Sequence, residues 1–190
     1  MIKVICGPMF SGKTKDILRL AEEAEASGRK TKLFKPFIDK RYSKALVYYH
    51  NGKRLRASVL QTNEKGLERM KRIVKHAKPN LICIDEIHFF PPDIFTTLNE
   101  MSSYTDVVVA GLDMDFKGDK FETVENIIKI ADEVKQLKAV CVVCGGEATM
   151  TQRITNNKFS VDDDPRLLAG SKESYEPRCE RCHISTKVFK

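Results

Sequence analysis

A glycine-rich segment near the start of the chain has the residue types and spacing of a phosphate-binding loop. It reads Gly7-Pro8-Met9-Phe10-Ser11-Gly12-Lys13-Thr14 and follows a short apolar run from Ile2 to Cys6. Glycines let backbone N–H groups turn inward around phosphates, and the N-terminus of a following helix adds positive charge. Lys13 is then expected to reach the β- and γ-phosphates, and the Thr14 hydroxyl to ligate Mg²⁺. The pattern predicts phosphate binding but does not identify the group that receives the phosphate.

Two acidic residues follow another apolar run, which extends from Leu81 to Ile84. Because side chains alternate across a strand, Asp85 and Glu86 are expected to point to different sides. We assign Asp85 to the Mg²⁺ shell and Glu86 to the general base that takes a proton from the acceptor. A simpler interpretation is that Glu86 caps the loop or pairs with a lysine. A kinase and an ATPase motor or helicase both fit, since the proton can come from a substrate hydroxyl or from water.

The predicted nucleotide site therefore combines the loop with the first of these acids. Its members are Gly7, Met9, Phe10, Ser11, Gly12, Lys13, Thr14 and Asp85. They are expected to hold ATP together with Mg²⁺.

Four of the six cysteines form two Cys-x-x-Cys pairs, made of Cys141, Cys144, Cys179 and Cys182. Two such pairs supply four soft ligands, which suits tetrahedral zinc, and a site filled by protein ligands is structural rather than catalytic. Four free cysteines are the alternative. His183, adjacent to Cys182, could replace a cysteine, but four cysteines make a fifth ligand unnecessary. The other two, Cys6 and Cys83, lie in apolar runs and are interpreted as core residues.

The segments between these motifs predict a parallel α/β sheet. Apolar residues recur at helical spacing between the phosphate loop and Gly28, and again from Leu67 to Val74. Further strands are predicted at Lys32-Leu33-Phe34 and from Val107 to Ala110, whereas residues 38–63 give no clear pattern. Apolar strands that alternate with helices indicate a sheet covered on both faces, with ligands at its carboxyl ends.

The character of the sequence changes near Ala139, where cysteines, glycines and short polar stretches begin. We therefore predict a phosphate-binding α/β domain over residues 1–138 and a small zinc-binding domain over residues 139–190.

Composition limits the classes of function. Of the 190 residues 42% are hydrophobic and 31% charged, as in soluble globular proteins, and the net charge of +7 is compatible with anionic partners. A nucleic-acid-binding zinc module is the competing interpretation, but clustered basic residues with interleaved aromatics are missing and Asp162-Asp163-Asp164 would repel a phosphate backbone. No apolar run could span a bilayer and no secretory signal is recognisable, so we expect neither membrane nor nucleic-acid partners and a cytoplasmic location.

Four blocks of the sequence together resemble the thymidine kinases shared by bacteria, poxviruses and animal cytosol. The blocks are Gly7 to Thr14, Asp85-Glu86-Ile87-His88-Phe89-Phe90, Gly111-Leu112-Asp113-Met114-Asp115-Phe116 and Tyr175-Glu176-Pro177-Arg178-Cys179-Glu180-Arg181-Cys182-His183. This resemblance implies a RecA-like P-loop domain, a zinc-bearing lasso domain and a homotetramer. It also implies transfer of the γ-phosphate of Mg-ATP to the 5′-hydroxyl of thymidine, with deoxyuridine as a further candidate acceptor and dTTP as an inhibitor.

The resemblance assigns roles to the positions of this sequence that match the family's motifs. The resemblance makes Glu86 the catalytic base and places Arg41 near the transferred phosphate, where a guanidinium offsets developing charge. Residues that would enclose the thymine ring and sugar are Met9, Leu112, Phe116 and Phe121, and those that would close over the base are Thr151, Leu168 and Tyr175. Without the resemblance, the leucine and the two phenylalanines would be interpreted as core.

His88 departs from the family pattern, which usually has glutamine two residues after the base. Neutral histidine also offers one donor and one acceptor, but with a different reach and a protonation that varies near neutral pH. We include His88 among the substrate-binding residues and expect it to alter the shape of the pocket.

Overall fold

The computed structural model describes residues 1–38, 46–48, 54–155, 158–159 and 175–184. Two residues with predicted roles, Arg41 and Leu168, lie outside the described residues.

A seven-stranded sheet forms the centre of the molecule, in the order β3-β4-β2-β5-β6-β1-β7. Its strands are β1 (Ile2–Cys6), β2 (Thr31–Pro36), β3 (Leu46–Tyr48), β4 (Arg54–Leu60), β5 (Leu81–Ile84), β6 (Asp106–Gly111) and β7 (Glu133–Gln136). The pairs from β4 across to β7 are all parallel, and β3 alone runs antiparallel to its neighbour β4. The carboxyl ends of six strands therefore meet at one edge of the sheet.

Helices cover both faces of this sheet. They are α1 (Lys13–Ala26), α2 (Glu64–Ala77), α3 (Ile94–Ser102) and α4 (Glu122–Ile128), with a short 3₁₀ helix over Ile87–Phe89. Side chains of α1 pack on one face with Leu33, Cys83 and Val108, whereas α2, α3 and α4 pack on the other with Phe34 and Ile84. Alternate residues of each strand thus enter opposite cores, which explains why the strands are apolar throughout.

The predicted α/β class, with a parallel sheet between helices, is confirmed. Sequence pattern missed β7 and the two strands within residues 38–63, β3 and β4. The longest of these three is β4. Two arginines, Arg54 and Arg56, interrupt its apolar residues, and only one strand, β3, separates it from the edge of the sheet. Strands near an edge carry polar residues, so their pattern is weaker than that of central strands.

Small antiparallel sheets follow the main one. The hairpin of β8 (Ala139–Val140) and β9 (Glu147–Ala148) lies beside a sheet of β10 (Met150–Thr155), β11 (Lys158–Phe159) and β12 (Tyr175–Arg178). The backbone N–H of Val142 donates to the Pro177 carbonyl at 3.1 Å, and this bond joins the hairpin to β12. The four paired cysteines lie in the turns of these elements.

Gly111 ends β6 against the 3₁₀ helix that follows Glu86. A Cβ at this position would lie 2.7 Å from Ile87 Cγ2 and 3.2 Å from the His88 backbone nitrogen. We predict that Gly111→Ala lowers the free energy of unfolding by about 1–3 kcal/mol, because an overpacked contact forces neighbouring atoms to shift.

Denaturant unfolding would measure this loss. The control is Gly146→Ala, where the nearest atom to a new Cβ lies at an ordinary 3.5 Å, so little change is expected. Equal stability of the two variants would contradict the packing argument.

Candidate active site and metal centre

The loop between β1 and α1 has the backbone shape that phosphate binding requires. Gly7 has φ 142° and a Cβ there would lie 2.2 Å from the Leu137 carbonyl oxygen, so only glycine fits. Gly12 has φ 89° and directly precedes α1, whose first residue is Lys13. The loop therefore ends at a helix N-terminus, where backbone N–H groups and the helix dipole favour an anion.

Lys13 folds back over this loop. Its ammonium donates to the Pro8 carbonyl at 2.7 Å, and the side chain is largely buried. The positive charge thus lies across the loop rather than in bulk solvent, which is the position from which a lysine can reach bound phosphates.

Asp85 connects the loop to the carboxyl end of β5. Thr14 Oγ1 donates to Asp85 Oδ2 at 3.0 Å, while Asp85 Oδ1 accepts from the backbone N–H of Glu86, also at 3.0 Å. A hydroxyl and a carboxylate beside a phosphate loop are oxygen ligands of the kind that Mg²⁺ prefers. The donor set therefore fits the metal that sequence analysis assigned to it.

Glu86 directly precedes the 3₁₀ helix over Ile87–Phe89. Its backbone adopts the left-handed conformation, with φ 54° and ψ 45°, which is uncommon for a residue other than glycine. Its Oε2 lies 3.6 Å from His88 Nδ1, and the carboxylate is buried. Asp85 and Glu86 thus have different partners, and because both follow the end of β5 this difference comes from the turn at Glu86 and not from strand alternation.

His88 lies among residues expected in the substrate pocket. Its Nδ1 accepts from the Leu112 backbone N–H at 3.2 Å, so the neutral ring carries its proton on Nε2. The ring centroid is 4.9 Å from that of Phe121, which precedes α4. The histidine therefore joins the end of β5 to the loop after β6.

Two further contacts bring the C-terminal elements to the predicted site. The Met9 backbone N–H donates to Thr151 Oγ1 at 3.0 Å, which ties β10 to the phosphate loop. Phe116, buried in the loop after β6, has Arg153 over its ring, and Tyr175 pairs with Arg153 across the small sheet. Every predicted substrate residue in the described part of the chain thus contacts another one directly or through a shared neighbour.

Comparison with known proteins agrees with this geometry. A family model described as thymidine kinase matches residues 1–183. The thymidine kinase of Thermococcus kodakarensis is 44% identical over 184 residues, which cover 96% of this chain and 93% of that protein. The thymidine kinase of Pyrobaculum aerophilum is 40% identical over 184 residues, which cover 97% of this chain and 98% of that protein.

The chain belongs to the thymidine kinase family. It is accordingly a phosphotransferase, and the family uses a nucleotide together with a divalent metal. This membership decides between the kinase and the ATPase motor that the phosphate loop alone left open. No helix in the described residues combines the length and apolarity needed to cross a membrane.

Sequence analysis missed two buried cations near the candidate site, Lys35 and Arg153. Lys35 of β2 is 1% exposed and follows Phe34, whose carbonyl accepts from the Asp85 N–H at 3.0 Å. Alternation puts Lys35 on the same face of β2 as Leu33, and its neighbour Phe34 bonds to Asp85, so Lys35 lies at the carboxyl end of the sheet. A lysine inside an apolar strand is the sequence feature that could have revealed Lys35. The second cation, Arg153, had no such feature, because arginine is normally exposed.

The four paired cysteines come together as predicted. Their sulfur atoms all lie within 4.8 Å of one another, and Cys144 Sγ is 3.7 Å from Cys179 Sγ. A tetrahedral zinc ion with bonds of about 2.3 Å needs sulfur atoms about 3.8 Å apart, so the cluster fits structural zinc. His183 is outside this group, since its Nε2 donates to the Phe116 carbonyl at 2.9 Å.

The thiols of the cluster interact with one another and are not in one common state. The side-chain hydrogen bond with Cys179 raises the pKa of Cys182 to about 12. Hydrogen bonding from the Cys179 backbone lowers the pKa of Cys141 to about 6, which favours the thiolate that binds metals. Burial raises the pKa of Cys6 to about 11 and that of Cys83 to about 12, so both stay protonated. Their interpretation as small core residues is confirmed by their burial.

We predict that Cys141→Ser loses zinc, because three sulfur ligands and a hydroxyl bind the ion far more weakly than four thiolates. Metal analysis of the purified protein should fall from about one zinc per chain to near zero. Cys83→Ala is the matched control, since it removes a thiol outside the cluster and should keep the metal. Full zinc content in the serine variant would contradict the structural zinc site.

Proposed function

We propose that the enzyme transfers the γ-phosphate of Mg-ATP to the 5′-hydroxyl of thymidine. The observation that carries the proposal is the divergence of Asp85 and Glu86 at the end of β5. Asp85 bonds to the first turn of α1, while the Glu86 carboxylate lies beside His88. One acid is thus suited to the nucleotide and the other to an acceptor held on the opposite side.

The phosphate donor would be held by the loop from Gly7 to Thr14. Its backbone amides and the Lys13 ammonium would surround the phosphates, with Met9, Phe10 and Ser11 as the other loop contacts. Thr14 and Asp85 would hold Mg²⁺, which when bound neutralises charge on the phosphate oxygens. Family membership and the Thr14–Asp85 hydrogen bond support this assignment.

The acceptor would be deprotonated by Glu86 as the general base. The carboxylate is buried at a strand end, in a strained backbone conformation of the kind that clusters at active sites. Arg41, assigned from the family resemblance alone, would offset the charge that develops on the transferred group.

The thymidine pocket would lie between the β5 and β6 ends and the C-terminal strands. Its side chains would be Met9, His88, Leu112, Phe116, Phe121, Thr151, Leu168 and Tyr175. The contacts of His88 with Leu112 and Phe121 support a single pocket wall. In this arrangement His88 Nδ1 would hold the Leu112 backbone in place by accepting a hydrogen bond from its N–H. This role requires a neutral ring with Nδ1 as an acceptor.

The remaining parts of the proposal rest on sequence patterns and on the resemblance. They are a phosphate-binding domain over residues 1–138, a zinc-bearing lasso domain over residues 139–190, a cytoplasmic homotetramer, deoxyuridine as a second acceptor and inhibition by dTTP. The four-sulfur cluster supports the zinc assignment within the second of these domains.

Nucleotide turnover with and without thymidine tests the reaction. We expect ADP to form only when thymidine is present, with one thymidine monophosphate for each ADP. Thymidine-independent ADP release would instead mean that water is the acceptor, and the proposed function would fail.

Glu86→Gln tests the general base. The amide cannot accept the proton, so kcat should fall by about 10²- to 10⁴-fold while ATP binding is unchanged. Glu100→Gln is the control, because Glu100 is exposed on α3 and is not among the predicted site residues. Near-normal kcat in the Glu86 variant would remove this assignment and leave the reaction itself in place.

A further inference from the structure

Arg153 is a buried cation held between two aromatic rings. Its side chain is 2% exposed, and its guanidinium carbon lies 5.0 Å from the Phe116 ring centroid and 5.9 Å from that of Tyr175. Both distances are within the range of cation–π attraction. Burying a charged group is costly, so these contacts are part of what makes the position acceptable.

The two rings come from different parts of the chain. Phe116 belongs to the loop between β6 and α4, and its carbonyl accepts from His183 Nε2. Tyr175 begins β12 and is the direct cross-strand partner of Arg153 in β10. The guanidinium therefore joins a loop of the large sheet to the strand that leads to the cysteine cluster.

The shape of the group suits this position. A guanidinium is planar and weakly hydrated, so it can interact with two ring faces at once, whereas an ammonium is a compact and strongly hydrated charge. Lys117 provides a comparison within the molecule. Its ammonium lies 5.5 Å from the same Phe116 ring but is only half-buried, and cation–π attraction is weaker where water remains.

We propose that Arg153 is a positioning residue for the thymidine pocket. It fixes the Phe116 and Tyr175 rings relative to each other, and through them it sets the affinity for the nucleoside. Its cation–π contacts are with the Phe116 and Tyr175 rings, so its effect should fall on nucleoside binding rather than on phosphate transfer. The inference rests on the proposed function, which assigns both rings to that pocket.

Steady-state kinetics of Arg153→Met and Arg153→Lys test the proposal. We expect Arg153→Met to raise KM for thymidine about 10-fold, with KM for ATP within about twofold of the wild type, as for a lost buried cation–π contact. Arg153→Lys should recover part of this loss, because it restores charge without the planar stack. Lys117→Met is the matched control and should leave both KM values within about twofold, because its cation is partly solvated.

A double-mutant cycle distinguishes positioning from general damage. If Arg153 acts through the rings, Arg153→Met should have little further effect on KM for thymidine in a Phe116→Leu background. Additive effects, an equal rise in KM for ATP, or loss of zinc from the Arg153→Lys protein would overturn the inference. If Arg153→Met does not fold, the same comparisons apply to Arg153→Lys.

The pocket assignment and the positioning role of Arg153 can fail separately. Phe116→Leu and Tyr175→Leu should each raise KM for thymidine if the proposed pocket is correct. If neither does, the pocket assignment fails and the inference fails with it. If both do and Arg153→Met leaves KM for thymidine unchanged, only the positioning role of Arg153 is wrong.

Discussion

The hydrogen bond from the Thr14 hydroxyl to the Asp85 carboxylate is the contact on which the rest of the site depends. It joins the end of β5 to the helix that follows β1, although β6 lies between these two strands in the sheet. Such a contact is available only because the strands are parallel and their carboxyl ends meet at one edge. The apolar residues that pack the strands from both faces therefore also determine where the phosphate loop and the acids meet.

The backbone at Glu86 separates the partners of the two acids that follow β5. Had the strand simply continued, the next residue would have remained in the sheet; instead Glu86 takes a left-handed conformation that costs of order 1–3 kcal/mol and begins the 3₁₀ helix. The missing side chain of Gly111 leaves room for that helix. Packing elsewhere in the sheet must offset this local strain, which is a common arrangement at functional sites.

Local patterns predicted the phosphate loop, the Asp85-Glu86 pair and the cysteine cluster, because in each case residues close in sequence form a large part of the feature. The central strands followed from their apolar runs, whereas β4 did not, since its arginines obscure the period. The individual hydrogen bonds and ring contacts between distant segments could not be predicted from these patterns. The Met9–Thr151 hydrogen bond spans 142 residues, and a buried Arg153 is visible only when its ring partners are in place.

The strand β10 explains how the C-terminal elements keep their place on the large sheet. Three consecutive residues of this strand, Thr151, Gln152 and Arg153, are polar and buried, an arrangement that an apolar interface would not need. Each makes a contact to a different segment: Thr151 accepts from the phosphate loop, the Gln152 amide oxygen accepts from the Ile184 N–H at 2.8 Å, and Arg153 stacks with the rings. Buried polar groups lose much free energy when unpaired, so these three contacts favour the observed docking of the strand. Cys182 of the cysteine cluster precedes Ile184 by two residues, so the cluster is connected through β10 to the loop between β1 and α1.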